Sequence, residues 1–455
     1  MPENLELELA WDFVEKTDRS IFLTGKAGTG KTTFLHSLKS NSLKRLIVVA
    51  PTGVAAINAK GVTIHSFFQM PFGPILPEGA SLKKKETSSK HKFSKIKINI
   101  IKSLDVLIID EISMVRADLL DGIDQVLRRY RDRTKVFGGL QVLMIGDLQQ
   151  LAPVVKNNEW ELLKTYYSTP YFFSSKAFIE STTVNIELKH IYRQDNQLFI
   201  KILNEIRNNN LSDDSVTELN KRYLPDFTPK QDEGYITLTT HNGRANILND
   251  KELNKLKDKT QNYKAFIQGK FQENSYPTHE KLILKKGAQV MFIKNDSNSE
   301  KRYYNGKIGK IIALNKKEIR VHCQGDLEDI MVTPETWENV NYTLNPETKE
   351  ISENSVGSFS QMPLRLAWAI TIHKSQGLTF DKAIIDANAA FAHGQTYVAL
   401  SRCRTLGGIV LKNRIATESI ITDSRVTSFN NNVAENPPNQ FDLNNSQKVF
   451  QLNMI

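Results

Sequence analysis

Short apolar runs alternate with helix-patterned segments along the first half of the chain. Ile21 to Leu23, Leu46 to Val49, Val106 to Ile109 and Gln141 to Ile145 each read as a buried strand. Between them, helical spacing is found at 5–17, ahead of the first strand, at Phe34 to Leu38, at Val54 to Ala59 and at 116–131. In the last of these, Leu119, Leu120, Ile123, Val126 and Leu127 are spaced for burial on one face. Strand and helix alternating in this way predict a mostly parallel sheet with its ligand at the carboxyl ends of the strands. The pattern restarts at 184: strands at Val184 to Leu188 and Tyr235 to Thr240, helices at Leu198 to Arg207 and Ala245 to Leu256. From about 260 to 360 the character changes to short β-like runs punctuated by Gly, Asn and Pro, the pattern of a small β-barrel-like insert. Leu366 to Ile372, Lys382 to Ile385 and Ile409 to Leu411 return to the earlier style. The fold class is therefore α/β, two parallel-sheet domains with a small β insert in the second. Residues 428–455 are rich in Asn and Gln and read as a loosely packed polar tail.

At 455 residues the chain is long enough for two to four domains. Lys and Arg number 60 against 50 Asp and Glu, a formal charge of +10 that favours a polyanionic partner. Lys83, Lys84, Lys85, Lys90, Lys92, Lys95, Lys97 and Lys102 crowd one segment, either a solvated face or a surface for phosphates. No run of about 18 apolar residues occurs, and the acidic start, Glu3, Glu6 and Glu8, lacks a signal peptide's basic region. Cys323 and Cys403 stand far apart without other metal-ligand residues, so the reading is a cytoplasmic protein with no disulfide framework or zinc site.

The chemistry starts at Gly25-x-x-x-x-Gly30-Lys31-Thr32, directly behind the first strand. This is a Walker A pattern, in which glycines let backbone N–H groups curl around a phosphate at a helix N-terminus. Gly25, Gly28, Thr29, Gly30, Lys31, Thr32 and Thr33 form the nucleotide cradle. Lys31 is placed to reach the β and γ phosphates and Thr32 to hold Mg²⁺. Asp110-Glu111 closes a later strand as a Walker B pair, Asp110 for the metal and Glu111 to deprotonate the attacking water. Gln150, behind the strand ending at Ile145, can donate and accept at once and suits sensing of the γ-phosphate and the water. Arg193 and Arg402 each follow an element boundary; each reads either as a surface residue or as an arginine finger. His65 is either buried or a contact for a nucleic-acid strand, and only one of Phe67 and Phe68 can readily face a base. Trp368 reads as core, and Tyr303-Tyr304 either packs the insert or meets nucleic acid. His373, Lys374, Ser375 and Gln376 make a dense donor cluster at a strand end.

Taken in order, these segments resemble the superfamily 1B DNA helicases of the Pif family, kin of the RecD-like enzymes, from Ile21 to about Leu411. The resemblance rests on Gly25 to Thr32, Ala50-Pro51-Thr52-Gly53-Val54-Ala55-Ala56, Thr63 to Phe68, Asp110-Glu111-Ile112-Ser113-Met114 and Gly146 to Val154. It continues through Tyr192-Arg193-Gln194, Thr371 to Thr379 and Tyr397 to Arg404. The helix after Asp110-Glu111, leading to Phe137-Gly138-Gly139, is similar to the family's signature segment. It implies two RecA-like domains: 1–183, with a small 1B wedge near 64–80, and 184–259 with 361–427. An SH3-like 2B insert is implied at 260–360.

The activity implied is an ATP- and Mg²⁺-dependent motor moving 5′→3′ on single-stranded DNA and unwinding duplexes, forks or G-quadruplexes. Lys31, Glu111, Gln150, Arg193 and Arg402 are the implied catalytic residues, with Gly377 added to the nucleotide set. Thr52, Gly53, His65, Phe67, Phe68, His373, Lys374, Ser375 and Gln376 are the implied DNA contacts. Single-stranded DNA and its junctions with duplex are the implied partners, with a single-strand-binding protein as protein partner. A monomer with no membrane association is implied. The family's usual N-terminal glutamine is replaced by Glu8, which puts bidentate reading of adenine in question. The family's long N-terminal extensions are absent from this sequence, as in a compact bacterial or phage-encoded form. The rival reading is a DNA-stimulated ATPase that remodels structured DNA without strand separation. A metabolic kinase leaves Arg193, Arg402 and the 373–376 cluster unused.

Overall fold

The computed structural model describes residues 4–71, 73–77, 93–194, 196–230, 233–298, 300–344, 351–386 and 393–452. The chain divides into two units: Met1–Arg193, Val340–Asn354 and Asp423–Ile455 in the first, Gln194–Asn339 and Ser355–Thr422 in the second.

The first unit is built on a six-stranded parallel sheet. Its strands are β1 (Ile21–Gly25), β2 (Leu46–Ala50), β3 (Val62–Thr63), β4 (Val106–Ile109), β5 (Gln141–Ile145) and β6 (Val184–Leu188), in the order β3-β2-β4-β5-β1-β6. β1, β4 and β5 are buried at every position, which is why they read as unbroken apolar runs. Alternate residues face opposite layers. Phe22, Val142 and Met144 join one core, and Ile21, Leu23, Leu143 and Ile145 the other. Helices α1 (Leu5–Lys16) and α2 (Lys31–Asn41) supply Phe13, Phe34 and Leu35 to the second layer. α3 (Gly53–Asn58) follows β2. Helices α4 (Ile64–Phe68), α5 (Lys95–Ser103) and α6 (Ala117–Tyr130) cover the first layer.

Two readings of the sequence are corrected here. The second domain does not begin at 184, because β6 pairs in parallel with β1, Ile21 opposite Val184 through Gly25 opposite Leu188. Its alternating burial, Val184, Ile186 and Leu188 inward, is that of an edge strand. Nor is the C-terminal stretch loose. Helices Ser424–Glu435 and Gln440–Leu452 belong to the first unit, where Val426 and Leu443 are fully buried. Phe429 stacks 4.6 Å from Phe173 and lies 5.9 Å from Phe22. Val426, Phe429 and Val433 share a helical stripe that the surrounding asparagines obscure.

The second unit carries a four-stranded parallel sheet in the order Ala369–Thr371, Ile236–Thr239, Ala383–Asp386, Ile409–Leu411. Most of 261–361 is antiparallel β-structure. A five-stranded sheet runs Ile330–Val332, Ile319–His322, Ile308–Leu314, Gln289–Phe292, Leu364–Leu366 around its own apolar core. Tyr303 is buried there, its ring 4.2 Å from Phe292, whereas Tyr304 is exposed. Trp368 packs on the same core. Among the described residues no helix is long and apolar enough to cross a membrane.

Candidate functional site

β1 delivers the chain to Gly25 in the interior of the first sheet. A Cβ at Gly25 would lie 2.7 Å from Thr29 Oγ1 and 2.9 Å from the Leu188 Cβ, so no larger residue fits there. Gly30 is left-handed, φ 89°, and forms the N-cap of α2, with no side chain capping it. The result is a helix N-terminus presented to an incoming anion. Lys31 Nζ donates to the Gly25 carbonyl at 2.7 Å and the Lys26 carbonyl at 3.0 Å. Thr29 is buried with Oγ1 donating to Lys26 O, while Thr32 and Thr33 are exposed.

Asp110 and Glu111 follow β4. Burial raises the Asp110 carboxyl to about 6, against the pull of the Glu111 backbone N–H and the Lys31 charge, so the lysine and this carboxylate share one neighbourhood. Glu111 is left-handed, φ 52° and ψ 44°, a conformation that costs a non-glycine residue about 1–3 kcal/mol and is tolerated where the surroundings enforce it. Part of that enforcement is Gly146 at the end of β5, where a Cβ would meet Ile112 Cγ2 at 2.9 Å. Gln150 is buried and its Nε2 donates to Asp147 Oδ2 at 3.2 Å. The sheet thus gathers the ends of β1, β4 and β5 and their polar groups. Tyr192 joins them, its N–H bonding to Gly28 O at 2.8 Å and its ring standing over Gly30. Arg193 follows directly and belongs to the same unit as Lys31, not to the second domain assigned to it from sequence.

The candidate nucleic-acid contacts fare unequally. Thr52 caps α3, its hydroxyl accepting from Ala55 N, with Gly53 starting the helix. His65 is partly exposed; burial and then Arg116 lower its pKa, against Asp118. Phe67 and Phe68 are each 1% exposed and meet edge-on at 4.9 Å in the core, so neither ring is a stacking platform. Of the lysine block, Lys83, Lys84, Lys85, Lys90 and Lys92 lie outside the described residues. Lys95 and Lys102 are exposed on α5, but Lys97 lies 3.6 Å over the Phe67 ring.

Sequence reading overlooked Arg116 and Asp118, which pair through two bonds of 2.9 and 2.7 Å. They also hold the 73–77 loop, Arg116 through Gly73 O and Asp118 through Ile75 N. The basic–x–acidic spacing at a helix start was the available signal.

In the second unit, His373, Lys374 and Ser375 form a 3-10 turn after Ala369–Thr371. His373 is half-buried, and burial lowers its pKa; Lys374 is exposed. Ser375 is fully buried with Oγ committed to Ile372 O at 2.7 Å, which removes its hydroxyl from the candidate contacts. Gln376 is half-buried and Gly377 left-handed, φ 78°. Arg402 ends the helix Gln395–Ser401 at 2% exposure. Its Nε donates to Val398 O and its Nη2 to Ser401 Oγ, both at 3.0 Å. Gln194, given no role from sequence, donates to Ser401 O and Cys403 O at 3.3 Å each and so brackets Arg402.

Known proteins carry the same plan. The PIF1-like helicase family model matches residues 8–217. The ATP-dependent DNA helicase Pif1 of Psychrobacter sp. is 33% identical over 454 residues, covering 87% of this chain and 66% of that protein. The chain thus spans just under two thirds of that curated relative's length. The crystal structure of Bacteroides sp. Pif1 in complex with ADP-AlF4 matches with a TM-score of 0.88 at 42% identity, over 96% of this chain and 98% of that one. Bacteroides Pif1 bound to ssDNA matches with a TM-score of 0.67 at 42% identity, over 95% and 97%. With identity at that level across nearly the full length of both chains, and the phosphate loop, acidic pair and arginine-bearing helix all in their places in the sequence, this chain belongs to the PIF1-like helicase family.

Proposed function

We propose that this chain hydrolyses ATP to move 5′→3′ along single-stranded DNA, separating duplexes, forks and G-quadruplexes. The observation that carries the reading is the phosphate cradle of the first unit: an uncapped helix N-terminus at Gly30, Lys31 folded over the loop, and Asp110 within its field. Capture of the Bacteroides relative with ADP-AlF4 and with ssDNA supports it.

The residues fit a divalent cation: Thr32 offers an exposed hydroxyl, and Asp110 is a half-buried carboxylate whose proton affinity is raised by loss of solvent in spite of the Lys31 charge. Thr32 and Asp110 would hold Mg²⁺, which when bound neutralises charge on the β and γ oxygens. Gly25 to Thr33 bind the phosphates. Glu111 accepts the proton of the attacking water, Gln150 orients that water, and Arg193 and Arg402 offset the charge that develops on the phosphoryl group. Thr52, Gly53, His65, His373, Lys374 and Gln376 contact the strand, mostly at its backbone. The two parallel-sheet units correspond to RecA-like domains 1A and 2A, with an SH3-like 2B insert in the second and a small 1B wedge near 64–80.

Displacement from duplexes tailed at the 5′ or 3′ end, with ATP against GTP, tests all of this. A 5′-tailed duplex is expected to open and a 3′-tailed one to persist. Opening from the 3′ tail alone overturns the direction. An intact duplex during DNA-stimulated turnover makes the chain a nucleoprotein switch instead. Because Glu8 is exposed on α1 where the family has glutamine, GTP is expected to support a substantial share of the activity.

A further inference from the structure

Arg365 is a cation of the second unit that the site described above leaves unused. It lies half-buried on the strand Leu364–Leu366, opposite Met291, where partial burial disfavours its charge. A guanidinium carries five N–H donors. Among the described residues Arg365 makes one hydrogen bond, from Nη2 to Pro277 O at 2.7 Å, and no ion pair. A half-buried guanidinium with most of its donors unmatched by protein acceptors keeps those donors open to an anion arriving from solvent.

Its neighbours add to the charge. Thr278 Oγ1 donates to Leu364 O at 3.1 Å and Gln361 Nε2 to His279 O at 3.5 Å, which holds exposed His279 beside the strand. Lys374 lies in the same field: after burial, the Arg365 charge is what lowers Lys374, and it lowers His279 as well. Asp250 alone acts on His279 in the opposite sense. Arg365 and Lys374 repel one another here and hold His279 toward its neutral form, and an oxyanion at Arg365 relieves that repulsion while satisfying its fork of donors.

We propose that Arg365, flanked by His279 and Lys374, is a binding site for a backbone phosphate of single-stranded DNA. The proposal rests on the helicase reading and deepens it. The nucleotide's own phosphates have the glycine loop of the first unit, whereas Lys374 and His279 are exposed and suited to a strand passing over the surface.

The test uses the full chain, without nucleotide, and the anisotropy of labelled oligo(dT) across a series of salt concentrations. Arg365→Gln is expected to bind roughly tenfold more weakly, with a log-log salt slope shallower by about 0.7. Arg365→Lys is expected to keep the slope. In the absence of DNA, Arg365→Gln is expected to melt at or above the parent's temperature, because an unpaired charge has gone. A methylphosphonate scan is expected to find one position whose penalty disappears in Arg365→Gln. An unchanged slope, with lower melting or failure to fold, makes Arg365 a brace for the Pro277 carbonyl and overturns the site. Loss of the Arg365-dependent affinity to inorganic phosphate at constant ionic strength marks a free-phosphate site and also overturns it. An unsubstituted chain with no affinity for oligo(dT) overturns the helicase reading together with the site.

Discussion

The two units each prepare a place for an anion, but from different materials. In the first unit the cradle is backbone: left-handed Gly28 and Gly30 at φ 84° and 89°, and the start of a helix that no side chain caps. Peptide dipoles carry no net charge, so they can be buried and held rigid before any ligand arrives. In the second unit the attraction comes from side-chain charge, Arg365 with Lys374 and His279, standing in mutual repulsion. A dipole cradle needs particular backbone angles and hence glycines at set spacing. A charged patch needs only proximity in the fold. The first kind selects by geometry and the second by charge, so salt should weaken the second far more.

The most severe test of that division is Arg402, proposed above as the second unit's contribution to the nucleotide chemistry. Its guanidinium is buried and fixed by Val398 O and Ser401 Oγ, a fork that lysine cannot reproduce. Arg402→Lys is expected to lower DNA-stimulated hydrolysis by about 10³–10⁵-fold while nucleotide binding persists. Near-normal turnover would confine the chemistry to the first unit. Next in size is Glu111→Gln, which keeps the shape of the strained turn and removes the carboxylate proposed as the base. Turnover should fall by about 10²–10⁴-fold, with ATP affinity retained in an equilibrium binding assay. Wild-type hydrolysis would take the proton-accepting role away from Glu111.

A third substitution tests whether the first unit meets DNA through its aromatic pair. Phe67→Ala is expected to cost about 3–5 kcal/mol of stability in chemical denaturation, as for a large core ring, because Phe67 is 1% exposed. The folded fraction should keep its affinity for single strands. A stable protein with weakened binding would return Phe67 to the interface.

What could be read from the sequence follows the same line between local and assembled features. The glycine loop, Asp110-Glu111 and the strand runs are local, and the parallel sheets follow from them. Ile64, Phe67 and Phe68 are spaced i, i+3, i+4, which is a buried helical face even though the segment resembles a DNA-contact motif. Val184 to Leu188 was recognisable as a strand, but nothing in five residues tells which sheet edge they join. Arg365 and His279 were invisible because 277–279, 361–365 and 374 meet only after the β insert has folded. The helices after Ser424 were hidden by composition, since asparagine lowers the expectation of order without removing the Val426, Phe429, Val433 stripe.

The smallest effect separates two lysines whose pKa burial lowers, one of which has a neighbouring cation acting in the same sense. Lys97 lies over the Phe67 ring, whose face favours the cation, yet burial prevails and holds its ammonium down to about 8. Lys374 is lowered by burial and then by Arg365. For Lys97 the folded pKa lies below the ordinary 10.5, so between pH 8 and about 10.5 the unfolded chain binds more protons and the folded state gains stability as pH rises. Lys44, also about 8 through burial, acts in the same window. The share of stability due to these two lysines should therefore climb across that range, opposed above about pH 9 by the Cys323 and Cys403 thiols that burial raises, and the difference between parent and Lys97→Met should isolate the Lys97 share from that of Lys44. An oligonucleotide should leave the Lys97 share untouched. A phosphate against Lys374 favours its ammonium, so the added stability that oligo(dT) confers should fade as pH rises, and Lys374→Met should flatten that fading. If Lys97→Met flattened it instead, the lysine on α5 would be the DNA contact, and the first unit would be holding its anion by side-chain charge as well.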